Sequence, residues 1–137
     1  PEDHFSLFKN NLKKLGIQKK DAAVYLKLCY YLISNNKGVL YSVFNSNNSL
    51  VASALIAKDA NRVFYLNGIA NDEGKKSGAS HWMLSEVMKE YQGKMLDFEG
   101  SNIEGVARFY KGFGATKTIY STIKINRLPF FLRWLKS

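Results

Sequence analysis

Between residues 62 and 98 the sequence runs from R-V-F-Y-L-N-G-I-A through the polar stretch N-D-E-G-K-K-S-G-A-S into an amphipathic segment, and out again to M-L-D-F. An extended run, a helix and a second extended run require the helix to cross one face of a sheet, so the two strands lie parallel, and such crossovers are right-handed. Met83, Leu84, Val87, Met88 and Tyr91 recur at helical spacing and are expected to face that sheet. Ligands of parallel strands gather outside their carboxyl ends. The crossover therefore draws Asn67, Gly68 and Ile69, the segment 75–80 and the turn after Asp97 around one mouth.

The remaining elements extend this frame. Residues 39–44, 50–57 and 62–69 have strand character, and the connectors N-S-N-N-S and K-D-A-N are short enough to join antiparallel neighbours, which predicts a three-stranded meander. Two helices precede it. The first covers 4–15, with Phe5, Phe8, Leu12 and Leu15 on one face and Gly16 as its stop; the second runs from an N-cap at Asp21 to about Ser34, with Val24, Leu28, Tyr31 and Leu32 repeating inward. After the strand 95–98 come a polar turn at 99–102 and a helix at 103–112. Asn102 and Glu104 stand at the helix start and Gly114 at its close, and a further strand begins at Thr116. Val106, Phe109, Tyr110 and Phe113 share one face of that helix. The whole predicts an α/β (α+β) domain over 1–137 with a mixed sheet of about five or six strands flanked by helices. A basic aromatic tail at 126–137, with Phe130, Phe131 and Trp134 among Arg127, Arg133 and Lys136, is expected to dock on the domain or on a partner.

Charge and side-chain chemistry narrow the functions. A net charge of +9 favours anionic partners. Cys29 is the one cysteine, so the chain holds no internal disulfide, and its apolar neighbours predict a buried thiol in a reduced, cytoplasmic setting. His4 and His81 have no carboxylate or cysteine at ligand spacing, so no metal site is expected. No apolar run approaches the roughly 18 residues that cross a bilayer. Pro1 at the start leads us to expect a piece of a longer chain.

The start of the crossover helix is the most chemical part of this frame. Unpaired amides and the helix dipole attract an anion there, and small residues let it approach the backbone, so Lys75, Lys76, Ser77, Gly78, Ala79 and Ser80 are the candidates to hold a diphosphate. Asp72 and Glu73 oppose this unless they point away. Asn67 and Gly68 interrupt the third strand, where a glycine marks a bulge or a close backbone approach by a ligand.

The stretch D-F-E-G-S, followed by G-V-A-R-F-Y-K-G-F-G-A and a later tyrosine, resembles the C-terminal part of the GNAT N-acyltransferase superfamily, in the branch similar to Fem-type aminoacyltransferases. The resemblance covers roughly 38–125. Tyr110 and Gly114 match the spacing of the family's Asn-x-x-Ala-x-x-Leu-Tyr-x-x-x-Gly-Phe helix, whereas Asn102 stands one position early, Val106 replaces the alanine and Ala115 replaces the last phenylalanine. Lys75, Gly78 and Ser80 stand where the family's donor loop has Gln/Arg-x-x-Gly-x-Gly/Ala. The resemblance implies a bacterial N-acyltransferase with acetyl-CoA or another acyl-CoA as donor substrate and a small-molecule or peptide amine as acceptor. It implies a pantetheine arm lying between splayed strands against Asn67, Gly68 and Ile69, with Tyr110 as the acid that protonates the leaving thiolate. Acyl transfer also needs the amine's proton removed, and Glu99, just past the strand carrying Asp97, is the candidate base. Two alternatives stand beside this one. The Fem-type branch implies aminoacyl transfer from a charged transfer RNA, and a non-catalytic GNAT-like half of a tandem protein would require a missing N-terminal GNAT-like domain or a dimer partner.

Overall fold

The computed structural model describes residues 1–11, 18–100 and 103–119. Helices α1 (Glu2–Lys9) and α2 (Lys19–Ser34) lead into a meander of β1 (Gly38–Phe44), β2 (Leu50–Lys58) and β3 (Arg62–Ala70). A short helix α3 (Asp72–Lys76) and the crossover helix α4 (Ala79–Glu90) return the chain to β4 (Met95–Asp97), which α5 (Glu104–Lys111) follows. The strand order is β1-β2-β3-β4, with antiparallel pairing in the meander and parallel pairing between β3 and β4, as the crossover predicts. Four strands are present among the described residues, against the five or six expected. Thr116 to Ile119 carry no regular structure, and the rest of the strand expected there lies outside the described residues, as do the tail 126–137, Asn102 and Gly16; helix α1 closes at Lys9 with Asn10 as its C-cap, short of the 4–15 expected from its apolar repeat.

Strand β2 is buried at every residue from 51 to 56, because helices cover both of its faces. Cross-strand partners share a face. Ile56 with Tyr65, Ala54 with Gly68 and Ala52 with Ala70 look toward α4, where Met83, Leu84 and Val87 complete an apolar core with Val63. Leu55 with Asn67 and Ser53 with Ile69 look the other way, toward α1 and α2. Small alanines on the α4 face of β2 let the helix approach closely.

The α1 face is organised by a buried histidine that local pattern left without a partner. His4 Nδ1 lies 2.9 Å from Ser53 Oγ and its Nε2 lies 2.6 Å from the Tyr25 hydroxyl. Ser53 donates to the Tyr41 carbonyl at 2.8 Å, so its oxygen accepts from His4 Nδ1–H, and Nε2 is left to accept from Tyr25. Burial pushes His4 down to about 4, which keeps the ring neutral and this assignment intact near neutral pH. Cys29 is buried beside Tyr25, and burial pushes its thiol up, in line with an inert thiol.

Helix α2 keeps the predicted period but not the predicted phase. Ala22, Tyr25 and Cys29 turn inward, whereas Val24 is 66% exposed, Leu28 42% and Tyr31 56%. The hydrogen bond from Tyr25 to His4 decides between two faces that are both apolar. The N-cap is Gln18, and Asp21 falls in the first turn. On α4, Met83, Leu84 and Val87 are buried as expected, but Met88 is exposed.

Candidate active site

Pairing between β3 and β4 covers three residues, Arg62 with Met95, Val63 with Leu96 and Phe64 with Asp97, and then stops. Beyond that point β3 continues along β2 for residues 65–70, while the chain after Asp97 turns off through Glu99 and Gly100, both with positive φ. The two parallel strands thus diverge at their carboxyl ends. The register between β2 and β3 also shifts here: Leu55 pairs with Asn67 and Ile56 with Tyr65, leaving Leu66 as an extra, bulged residue. The interruption expected around Asn67 and Gly68 is this bulge.

Gly68 has a packing reason. A Cβ at this position would come within 1.6 Å of the Tyr65 hydroxyl, so the tyrosine lies back over the strand only because the glycine has no side chain. On the opposite face, Asn67 Oδ1 is buried without a hydrogen-bond partner among the described residues, a state rare for buried polar atoms. Ile69, two positions on and on the same face, is buried, so its side chain serves packing.

Helix α5 brings Tyr110 to the point of divergence. Its ring stacks on Phe98 with centroids 4.4 Å apart and meets Tyr65 edge-on at 6.0 Å. The ring is half-buried, burial pushes its hydroxyl up, and no hydrogen bond holds that hydroxyl among the described residues. The phenol is therefore protonated at neutral pH. Phe109 and Phe113 pack instead on His81 near the start of α4, with centroids at 4.6 and 5.6 Å. Tyr65, Phe98 and His81 were not among the predicted site residues. Their signal is visible only once the strands are paired.

At the other side of the mouth, the predicted loop is partly helical. Asn71 caps α3 by accepting from the Gly74 amide at 2.7 Å, and the small residue needed for packing is Gly74, whose Cβ would sit 2.2 Å from the Val51 carbonyl oxygen. Gly78 has open space around it and a φ of 72°, so it is the joint between α3 and α4. The Ala79 and Ser80 amides at the start of α4 have no acceptor among the described residues, as the first turn of a helix dictates. Ser77 Oγ is turned back onto the Gly74 carbonyl at 3.3 Å. The two carboxylates that could repel an anion are diverted: Asp72 lies 3.8 Å from Lys75 Nζ, and Glu73 accepts from Asn45 at 2.9 and 3.1 Å, on the side of the β1–β2 turn. Lys76 is exposed.

Glu99 is not drawn to Tyr110 by any contact. It is exposed, and its amide donates to Asp97 Oδ1 at 2.9 Å, so Asp97 braces the turn. A depression of about 230 Å³ between the end of α4 and β4, lined by Val87, Tyr91, Lys94 and Leu96, lies at the amino end of β4, away from the mouth. Among the described residues no cluster of His, Cys, Asp and Glu could hold a metal ion, and no helix is long and apolar enough to cross a membrane.

No family model and no curated sequence matches the chain. Its structure does have counterparts. A tetramutant of the BH1408 protein from Bacillus halodurans superposes with a TM-score of 0.67 at 10% identity, over 91% of this chain and 92% of that one. The aminoglycoside 6'-N-acetyltransferase AAC(6')-IG from Acinetobacter haemolyticus gives 0.62 at 11% identity, over 91% and 92%. A predicted acetyltransferase from Clostridium acetobutylicum, with acetyl-CoA, gives 0.56 at 20% identity, over 89% and 86%. At such identities the likeness is one of fold, and none of it points to the Fem-type branch. The chain has the α+β fold of the GNAT-type acetyltransferases, with a mixed sheet between helices.

Proposed function

We propose that this chain is an N-acyltransferase that moves the acyl group of an acyl-CoA to a primary amine. The observation that carries the reading is the divergence of β3 from β4 beyond Phe64 and Asp97, with a protonated tyrosine that has no hydrogen-bond partner among the described residues at the fork and, beside it, a helix start whose first amides have no acceptor among the described residues. The Ala79 and Ser80 amides, with Lys75 and Lys76 near them, hold the diphosphate; Gly78 keeps the approach open, and Ser77 shapes the joint. The pantetheine arm runs along the free edge of β3 at Asn67, Gly68 and Ile69. The amine nitrogen then attacks the thioester carbonyl, the C–N bond forms, the C–S bond breaks and Tyr110 gives its proton to the departing thiolate. Glu99, exposed on the turn, takes the proton of the amine through solvent. The neighbours named above support this choice: one is an aminoglycoside acetyltransferase and another holds acetyl-CoA.

Isothermal titration with acetyl-CoA tests the donor site. Binding is expected to weaken with salt, since the contact is to phosphates. Gly78→Asp and its neutral counterpart Gly78→Asn meet no neighbouring atom and share the strain of a φ of 72°, so the added negative charge is read from the difference between them: the aspartate should bind about tenfold or more weakly than the asparagine, the effect of roughly 1.4 kcal/mol. Equal affinities of the two variants place the donor elsewhere.

A further inference from the structure

Tyr65 is the other phenol at the fork, and acyl transfer as proposed leaves it without a task. Its ring lies in the apolar core, 5% exposed, with the centroids of Phe98 and Tyr110 each 6.0 Å away. Its hydroxyl stands where a side chain at position 68 would begin, in the notch that the exposed Gly68 leaves on the strand. That oxygen has no hydrogen-bond partner among the described residues. It is not enclosed either, because the one enclosed and unpartnered side-chain oxygen or nitrogen among the described residues is Asn67 Oδ1. The small exposed part of Tyr65 thus includes its polar tip. Burial and the nearby Tyr110 push the hydroxyl up, so it is a donor at neutral pH. The fold has little use for this oxygen. A phenylalanine would fill the same core without a polar tip left unpaired, and a glycine inside a strand weakens it.

We propose that the Tyr65 hydroxyl donates a hydrogen bond to the carbonyl oxygen of the donor's thioester, which makes it a second phenol acting on the reacting group. The inference rests on the acyl transfer proposed above. As the amine attacks, negative charge gathers on the carbonyl oxygen and, when the C–S bond breaks, on the sulfur. One carbon bears both atoms, so the two groups that serve them must be neighbours. Tyr65 and Tyr110 are neighbours, edge-on to each other at the point where β3 leaves β4. Gly68 brings the Tyr65 hydroxyl against the backbone of β3, so a thioester laid along the strand at that residue passes beside it. Tyr65 keeps its proton throughout; the proton given to the thiolate is that of Tyr110.

The probes are acetyl-CoA and S-ethyl-CoA, a thioether of the same length that lacks the carbonyl. Isothermal titration of the unaltered chain should show acetyl-CoA bound about fivefold tighter, the worth of one hydrogen bond. Tyr65→Phe deletes a hydroxyl that has no partner among the described residues, so the ring keeps its packing. It should abolish the preference, leave the affinity for S-ethyl-CoA unchanged and lower turnover about 100-fold, as removal of an oxyanion donor does. Tyr110→Phe should keep the preference. Equal binding of the two ligands by the unaltered chain overturns the inference without any variant. So does a preference or a turnover that survives Tyr65→Phe, or a preference lost in Tyr110→Phe; in these cases donor binding still upholds acyl transfer. If neither ligand binds, the acyl-transfer proposal falls, and this one with it.

Discussion

The two faces of the sheet are held by different chemistry. On the α1 and α2 face, a buried histidine joins two helices to β2 through hydrogen bonds that leave none of its ring atoms unpaired. On the α4 face, the core is apolar, and at its edge an aromatic cluster surrounds a tyrosine whose hydroxyl has no hydrogen-bond partner among the described residues. A satisfied polar network specifies one arrangement and resists change, because each group left unpaired would carry its full desolvation penalty. An unengaged polar tip in an apolar setting does nothing for the fold. The contrast teaches where to look for chemistry: both ring nitrogens of His4 are occupied, whereas the Tyr110 hydroxyl has no hydrogen-bond partner among the described residues.

The largest effect that would break this contrast is on turnover. Tyr110→Phe keeps the ring between Phe98 and Tyr65 and deletes the proton donor, so the rate should fall about 100-fold to 10,000-fold while donor affinity holds. Stability in urea should change by less than about 1 kcal/mol, since no hydrogen bond is lost. Equal rates across pH would make Tyr110 a packing residue and unite the two faces.

Acid should act on the opposite face. His4 titrates near 4 in the folded protein and near 6.5 when unfolded, so between those values the unfolded chain binds more protons and stability rises with pH. The contribution is complete above the unfolded value and is lost as pH falls through the window, by roughly 3 kcal/mol at its lower end. Urea unfolding of the wild type and of His4→Gln at several pH values checks this. A wild-type slope no steeper than that of the variant would remove His4 from the account.

Gly74→Ala tests the seam where α3 meets β2. Its Cβ would collide with the backbone oxygen of Val51, which cannot swing aside as a side chain would, so a loss of about 1–3 kcal/mol is expected in the same measurement. The smallest effect belongs to the outer face of α2. Leu28→Ser should alter stability by no more than about 0.5 kcal/mol, as at other exposed positions, and a core-sized loss would restore the phase that the apolar repeat predicts.

Periodicity alone located the meander, the crossover and the parallel return strand, with ends that moved by one or two residues. Those features follow from local alternation and from the rule that a helix between two strands of one sheet must cross over it. The candidate site was legible in part. Tyr110, Gly78 and the small residues at the start of α4 are marked by spacing, and the structure brings Tyr110 to the fork of the strands and the start of α4 to the end of β3. Glu99 was marked by its position after a strand, yet no contact joins it to Tyr110.

By itself, then, the sequence determined the meander, the crossover helix and the parallel return of β4, because each depends on residues within a few positions of one another. Tertiary structure decided which face of α2 turns inward, since both faces are apolar and the choice rests on bonds from His4 to Tyr25, 21 residues away, and to Ser53, 49 residues away. It also decided why three of the glycines are glycines: Gly68 for the Tyr65 hydroxyl, Gly74 for the Val51 carbonyl and Gly78 for its backbone angle. A missing side chain reads the same in all three places. Only the atoms packed against it tell a close approach from a turn.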